Sequence, residues 1–288
     1  MIKKQLDKLI AESLAIENKN LKEAGSLGYM ARALAQATIP HSKTPGNEFK
    51  RVNGNYTLTI LSPSKIGLPY GTIPRILMAW ITTEAVKTKQ QTLILGDSLN
   101  AFLKELGLSS TGGRWGTIPR VRDQMIRLFS SSISCCYHSQ ERSAGVGFHI
   151  AKAYDLWWEP KLPNQKSLWQ STVTLGQDFF EEIVQNPIPI DLDTLKALGR
   201  SPLALDIYCW ITYRMSYLKQ DCKIWWSTLQ AQFGANYATD LQGIRDFKKA
   251  FIRELKKVHL VYLGLRIEIE KEYLILSPSR THIPKIVD

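Results

Sequence analysis

No segment of the chain approaches the ~18 consecutive apolar residues of a membrane span. The amino-terminal stretch MIKKQLDKLIAESLAIENK breaks its apolar positions with Asp7, Lys8, Glu12 and Glu17, so neither a signal peptide nor an anchor is expected. Cysteine is scarce: 4 of 288 residues, the adjacent Cys135 and Cys136, then Cys209 and Cys222. With no Cys-x-x-Cys spacing they suggest neither a disulfide framework nor a zinc site, and a reducing cytoplasm is the expected setting. Catalytic signatures are missing too. Gly-x-Ser-x-Gly, His-Glu-x-x-His and the Gly-x-x-x-x-Gly-Lys-Ser/Thr phosphate loop are all absent. His41, His138, His149, His259 and His282 are scattered, without the His-x-His pair that holds a metal beside the tyrosine of a rolling-circle nickase. The Gly-Val-Gly at 145–147 is too short for a dinucleotide loop. No catalytic residue, metal or cofactor is expected.

What the chain has in surplus is positive charge. Lys and Arg number 37 against 26 Asp and Glu, a net charge of +11, while 44% hydrophobic residues give the composition of a folded globular protein. A basic chain is drawn to polyanions, with nucleic acid, an anionic membrane surface and mere solubility as the three readings. At ~150 residues per domain the length suggests two domains.

Residues 1–24 read as an amphipathic helix, with Ile2, Leu6, Leu9, Ile10, Leu14, Ile16 and Leu21 near helical spacing. The Gly-, Asn- and Pro-rich stretch 41–55 reads as linker. Beyond it come a strand from Tyr56, a helix over 72–86, a short strand at 92–95, a helix after Asp97 or Ser98 that Gly107 ends, and a helix over about 117–130. ISCCYHS and GFHIAKAYDLWW read as a hairpin joined through ERSAGVG. The same order occurs twice. AWITTEAV (79–86) is echoed by CWITYRMS (209–216), TLIL by KIWW, LNAFLKELG by STLQAQFG, VRDQMIRLF by IRDFKKAFI, and ISCCY by HLVY. Helix, strand, helix, helix and hairpin is the order of a winged helix, whose third helix is usually presented to DNA. The fold class expected is α+β: two tandem winged-helix domains over 56–170 and 171–288, preceded by an N-terminal helical arm and linker over 1–55. Since both units lie beyond it, the segment before about residue 56 is expected to be dispensable for recognising one site, with deletion of residues 1–50 as the test.

At 100° per residue the second candidate recognition helix sets Ile244, Phe247, Phe251, Leu255 and Val258 on one side and Gln242, Arg245, Lys249, Arg253 and Lys256 almost opposite. Lys248 and Lys257 add charge, with only Asp246 and Glu254 against it. A solvated face is the ordinary reading of such a stripe, but a helix built for solubility tends to alternate signs. The first unit's helix buries Ile118, Val121, Met125, Leu128 and Phe129 and leaves Arg120, Asp123, Gln124 and Arg127 outside. Arg and Gln can read guanine and adenine edges. TGGRWG before it is either a plain loop or a set of backbone amides for a phosphate, with Arg114 adding charge. The tryptophans and tyrosines mostly read as core, except Tyr237, kept as a candidate contact.

GLPYGTIPRILMAWITTEAVKT (67–88), LGDSLNAFLKELGL (95–108), TGGRWGTIPRVRDQMIRLF (111–129) and SPLALDIYCWITYR (201–214) resemble the RepA-type plasmid replication initiators, from about residue 57 to the C-terminus. That resemblance implies a bacterial cytoplasmic protein with two winged-helix domains that binds repeated origin sites, iterons, in double-stranded plasmid DNA. It also implies help in opening the origin, recruitment of the host initiator DnaA and the replicative helicase, and exchange between autoregulating dimers and initiating monomers. A transcriptional repressor with the same modules and an origin nickase are the alternative readings.

Overall fold

The computed structural model describes residues 26–32, 38–113, 116–157, 170–234 and 237–283. The arm expected over 1–24 and Arg114 lie outside the described residues. Among those described, the chain is a mixed α/β protein of eight helices and twelve strands in several small sheets. It divides into two compact units. A middle unit comprises the described residues within Ile39–Lys50 and Asn55–Pro187, and a terminal unit those within Met1–Thr38, Arg51–Gly54 and Ile188–Asp288.

Two expected boundaries move. Residues 41–55 are not all linker, because Glu48–Asn53 forms strand β2 beside β3 (Tyr56–Leu61). The two-residue turn between them is Gly54-Asn55, with Gly54 at φ 57°, and such a Gly-Asn pair is a sequence signal of a tight hairpin. The amino-terminal strand β1 (Leu27–Ala31) pairs with β9 (Pro187–Asp191), and Met30 and Ala31 are buried. Deleting 1–50 would therefore remove a strand from the terminal unit, so the segment is not only an arm and linker. The division between repeats also falls after Pro187, not after 170, since β8 (Thr172–Leu175) pairs with both β4 (Thr92–Ile94) and β7 (Ala151–Asp155).

In the middle unit α1 (Thr72–Thr88) is buried along most of its length and ends where Lys89 turns left-handed at φ 56°. After β4, Ser98 caps α2 (Leu99–Glu105) by accepting from the Ala101 amide at 3.2 Å. Helix α3 (Thr117–Phe129) follows, then the hairpin of β5 (Ser132–His138) and β6 (Ser143–His149). The expected hairpin is thus corrected. Its turn is Ser139–Arg142, closed by the Ser139 amide on the Arg142 carbonyl at 2.8 Å. At the buried Ile150 the chain turns a corner, and β7 joins a different sheet. The two sheets run β2-β3-β5-β6 and β4-β8-β7, and α4 (Gln177–Gln185) packs on α1 and β6.

In the terminal unit β9 leads into α5 (Leu192–Leu198), α6 (Pro202–Met215), β10 (Cys222–Trp225), α7 (Trp226–Phe233) and α8 (Leu241–Val261). Strands β11 (Ile267–Ile269) and β12 (Tyr273–Leu276) follow. Its sheet is ordered β10-β12-β11, first strand, last strand, middle strand, as β4-β8-β7 is. The series α1, β4, α2, α3, β7, β8 therefore recurs as α6, β10, α7, α8, β11, β12. One expected echo fails: HLVY (259–262) closes the 21-residue α8, and ISCCY lies in the β5–β6 insertion, which has no counterpart in the second series.

Matching tryptophans hold each series together. Trp80 meets Phe102 of α2 edge-on at 5.0 Å, and Trp210 meets Phe233 of α7 at 5.4 Å. Two residues beyond each tryptophan, the hydroxyls of Thr82 and Thr212 are buried without a hydrogen-bond partner among the described residues. An unsatisfied buried hydroxyl costs about 1–3 kcal/mol, and valine has nearly the same shape. Thr82→Val and Thr212→Val should therefore each raise the urea midpoint, by about 1 kcal/mol of stability; a drop in either would mean that the hydroxyl finds a partner.

A second cluster seals the end of the terminal unit. The Asp191 amide donates to the Tyr208 hydroxyl at 2.9 Å, and that hydroxyl lies 2.9 Å from Nδ1 of His282. Burial drives His282 from 6.5 down to about 4, against a hydrogen bond to the Val261 backbone that favours the protonated ring. The neutral ring thus accepts from Tyr208. Unfolded His282 binds a proton below about 6.5 and the folded residue only near 4, so stability is full above pH 6.5 and falls as the pH drops through that window. The loss is on the order of 3 kcal/mol. Comparing parent with His282→Asn by urea unfolding at pH 7.5 and pH 4.5 isolates this group. The difference between the two proteins should shrink at the lower pH; a constant difference would refute the assignment.

Candidate nucleic-acid interface

Helix α8 starts from a fixed corner. Asp240 caps it by accepting from the Gly243 amide at 2.7 Å, and Gln230 of α7 donates to the Ala238 carbonyl at 2.6 Å. A Cβ on Gly243 would collide with that carbonyl oxygen, so the close approach of loop and helix requires glycine there. On the inner side Phe247, Phe251, Leu255 and Val258 are buried as expected, and Ile244 is half-buried.

On the outer side Gln242, Arg245, Lys249, Arg253 and Lys256 are exposed. Arg245, Lys249 and Lys256 have no hydrogen-bond or ion-pair partner among the described residues. Arg245, Lys249, Ile252, Arg253, Lys256 and Leu260 line a shallow groove of about 670 Å³ along this face. Gln242 donates to Asp246 at 3.1 Å. Arg253 reaches back to Glu254 at 2.8 Å, and Lys257 contacts the same carboxylate at 2.7 Å. Glu254 is 3% exposed. Burial disfavours its charge, but hydrogen bonds from Lys257, Arg253 and Ser201 outweigh this and hold its pKa below the usual value. The carboxylate stays ionised and neutralises part of the C-terminal half of the face, as the exposed Asp246 does near Arg245 and Lys249.

Lys248 has a different task. Its ammonium donates to the carbonyls of Glu270 at 2.8 Å and Lys271 at 2.7 Å and lies 4.9 Å over the Trp226 ring. Trp226 Nε1 also donates to Glu270 at 3.2 Å. Together they pin the β11–β12 turn beside α8. Tyr237, expected as a contact, packs edge-on against Phe247 at 5.7 Å.

Helix α3 departs further from expectation. Gln124 is not outside: at 4% exposure it accepts from the Tyr70 amide at 2.9 Å and donates to Asp123 at 3.1 Å. The Arg127 side chain is 15% exposed, bound to Asp123 at 2.8 Å and the Leu68 carbonyl at 3.3 Å, with Tyr70 beneath its guanidinium. Both hold the 68–70 loop. The amides opening α3 are also occupied, since Thr117 N–H donates to Thr111 Oγ1 at 2.9 Å and Ile118 N–H to the Thr111 carbonyl at 3.2 Å. Thr111 therefore does not leave these two amides to a phosphate. Arg120 and Arg122 remain as exposed cations. A repeated pentapeptide carries the signal that periodicity missed. Gly-Thr-Ile-Pro-Arg opens both α1 and α3, yet Arg75 is 3% exposed and donates to the carbonyls of Ile39, Pro40 and Gly71, whereas Arg120 points to solvent.

Two of the aromatics taken for core are also outside: Trp225 is 53% exposed, and Trp157 is exposed as well. Among the described residues no group of three or more His, Cys, Asp or Glu is placed to hold a metal. No described helix is long and apolar enough to cross a membrane.

The family described as plasmid encoded RepA protein matches residues 68–227, more than half of the chain: it spans the first series and ends at the start of α7 in the second, before α8. The chain belongs to this family of plasmid replication initiators. Its fold is also that of solved structures of RctB. A selenomethionine derivative of domains 2 and 3 superposes with a TM-score of 0.54 at 13% identity, over 86% of this chain and 96% of that one. A second structure of RctB domains 2-3 gives 0.50 at 14% identity, over 85% and 95%. A comparison with curated proteins gives no match.

Proposed function

We propose that this RepA-family chain is a non-enzymatic initiator that binds directly repeated duplex sites at a plasmid origin through two winged-helix modules. The repeated order of helix, strand, helix, helix and hairpin, with the strand order first-last-middle in both sheets, supports the modules. The observation that carries DNA binding is the face of α8, where Arg245, Lys249 and Lys256 stand exposed and unpaired on a helix whose other side is locked into the core. Cations without protein partners on a rigid helix suit phosphates and base edges. Helix α8 is the principal reader and α3 the lesser one, because Gln124 and Arg127 are committed to the fold. Family membership supports the wider role in a bacterial cytoplasm: opening the origin, engaging host DnaA and helicase, and exchange between dimer and monomer.

The test is binding to duplex fragments of the plasmid that carries the gene, with footprinting and a salt series. Each neutralised phosphate contributes about −0.9 to the slope of log K against log salt, so three free cations on α8 predict a slope of roughly −3 or steeper. Supercoiled origin DNA incubated with the protein and Mg²⁺ should remain uncut. A flat salt response, equal affinity for scrambled duplex, or a nick with covalently attached protein would each overturn the reading.

A further inference from the structure

Ile252 is out of place on its helix. It falls on the outer stripe of α8 at helical spacing from Arg245, Lys249 and Lys256, is half-buried, and sits in the groove that the cationic side chains border. The aromatic core of the terminal unit is closed from the opposite side of the helix, by Phe247 and Phe251. A phosphate gains nothing from a branched hydrocarbon, and a base edge offering only donors and acceptors would lose water there without a partner. Among the four bases only thymine shows an apolar group in the major groove, its C5-methyl.

Distance selects Ile252 over the other apolar residue on this face. At 1.5 Å per residue, Ile252 lies about 10 Å along the axis from Arg245, within a major groove ~12 Å wide. Leu260 lies about 22 Å from Arg245, far from the N-terminal part of a recognition helix that contacts base edges. Ile252 is also stiff, since β-branching leaves one strongly preferred side-chain rotamer in a helix. Its methyl groups are thus held in place before any ligand arrives.

Resting on the reading of α8 as a DNA-contacting helix, we infer that Ile252 is a specificity-determining residue that packs against the C5-methyl of one thymine in the bound duplex. Arg245 and Lys249 hold polar base edges or phosphates on the same groove, and Ile252 selects thymine between them and the positions that Lys256 contacts.

The test replaces each thymine of the footprinted site, one at a time, with deoxyuridine, which removes only the methyl group. Affinity is measured for the parent and for Ile252→Ala. One replacement should weaken the parent about fourfold, the equivalent of a buried methyl, and weaken Ile252→Ala less than about twofold. The other replacements should act alike on both proteins. A melt of each protein checks the fold; if Ile252→Ala melts early, Ile252→Val serves, with a smaller coupling of the same sign. If no thymine methyl is coupled to residue 252, the inference is overturned while the DNA reading stands. If the parent binds no duplex at all, it is the DNA reading that fails.

Discussion

Replacing Phe251 with alanine should destabilise the terminal unit by about 3–5 kcal/mol, the range for a large aromatic removed from a packed core. The ring is fully buried, with Phe233 at 5.5 Å, Phe247 at 5.5 Å, Trp226 at 6.0 Å and Trp210 at 6.4 Å. Those partners come from α6, α7 and α8, so this one ring closes the packing that orients the cationic face. Alanine leaves a cavity whose walls are themselves stiff aromatics and cannot easily collapse. Urea unfolding followed by tryptophan fluorescence reads the effect directly, because Trp210 and Trp226 line the cavity. DNA binding should fall only in proportion to the unfolded fraction. A loss under about 1 kcal/mol would show that α8 is held by other contacts.

How far this arrangement could be read from the sequence depends on the range of the interaction involved. The buried stripe of α8 and the Ser98 cap were legible because both are set within a few turns of helix. The order of the two series was legible because similar segments recur. What escaped were pairings between distant segments. Strand β1 lies far along the chain from β9, and nothing in LGYMA announces its partner. Gly54-Asn55 is a hairpin signal for β2, but it sits within a charged, glycine-rich stretch whose composition is that of a linker. The site failed in a related way. A helical wheel places Gln124 and Arg127 outside the apolar arc, and that is correct for an isolated helix. The 68–70 loop then lies over them, and its Tyr70 amide and Leu68 carbonyl take up side chains that would otherwise face solvent. Lys248 met the same fate at the β11–β12 turn. A wheel shows which residues leave the core of their own helix and cannot show which of them another segment then covers.

That distinction yields the second large effect. Arg245→Ala and Lys249→Ala should each weaken binding to the duplex site by about 1–3 kcal/mol where the side chain reads a base edge, or flatten the salt slope by roughly 0.9 where it holds a phosphate. Neither should move the thermal midpoint, because neither side chain has a partner to lose among the described residues. Lys248→Met and Arg127→Ala should behave in the opposite way. Each removes a donor from backbone carbonyls, at Lys271 and Glu270, the latter keeping Trp226 Nε1, or at Leu68, so each should lower the midpoint. Neither should change the salt slope, since a cation engaged by the fold displaces no counterion from DNA. Four variants, each melted and titrated at two salt concentrations, separate contact from support. If Arg245→Ala and Lys249→Ala bind like the parent while Arg120→Ala does not, the duplex lies on α3. If instead Lys248→Met flattens the slope by about 0.9, its ammonium leaves the β11–β12 turn for a phosphate when DNA arrives.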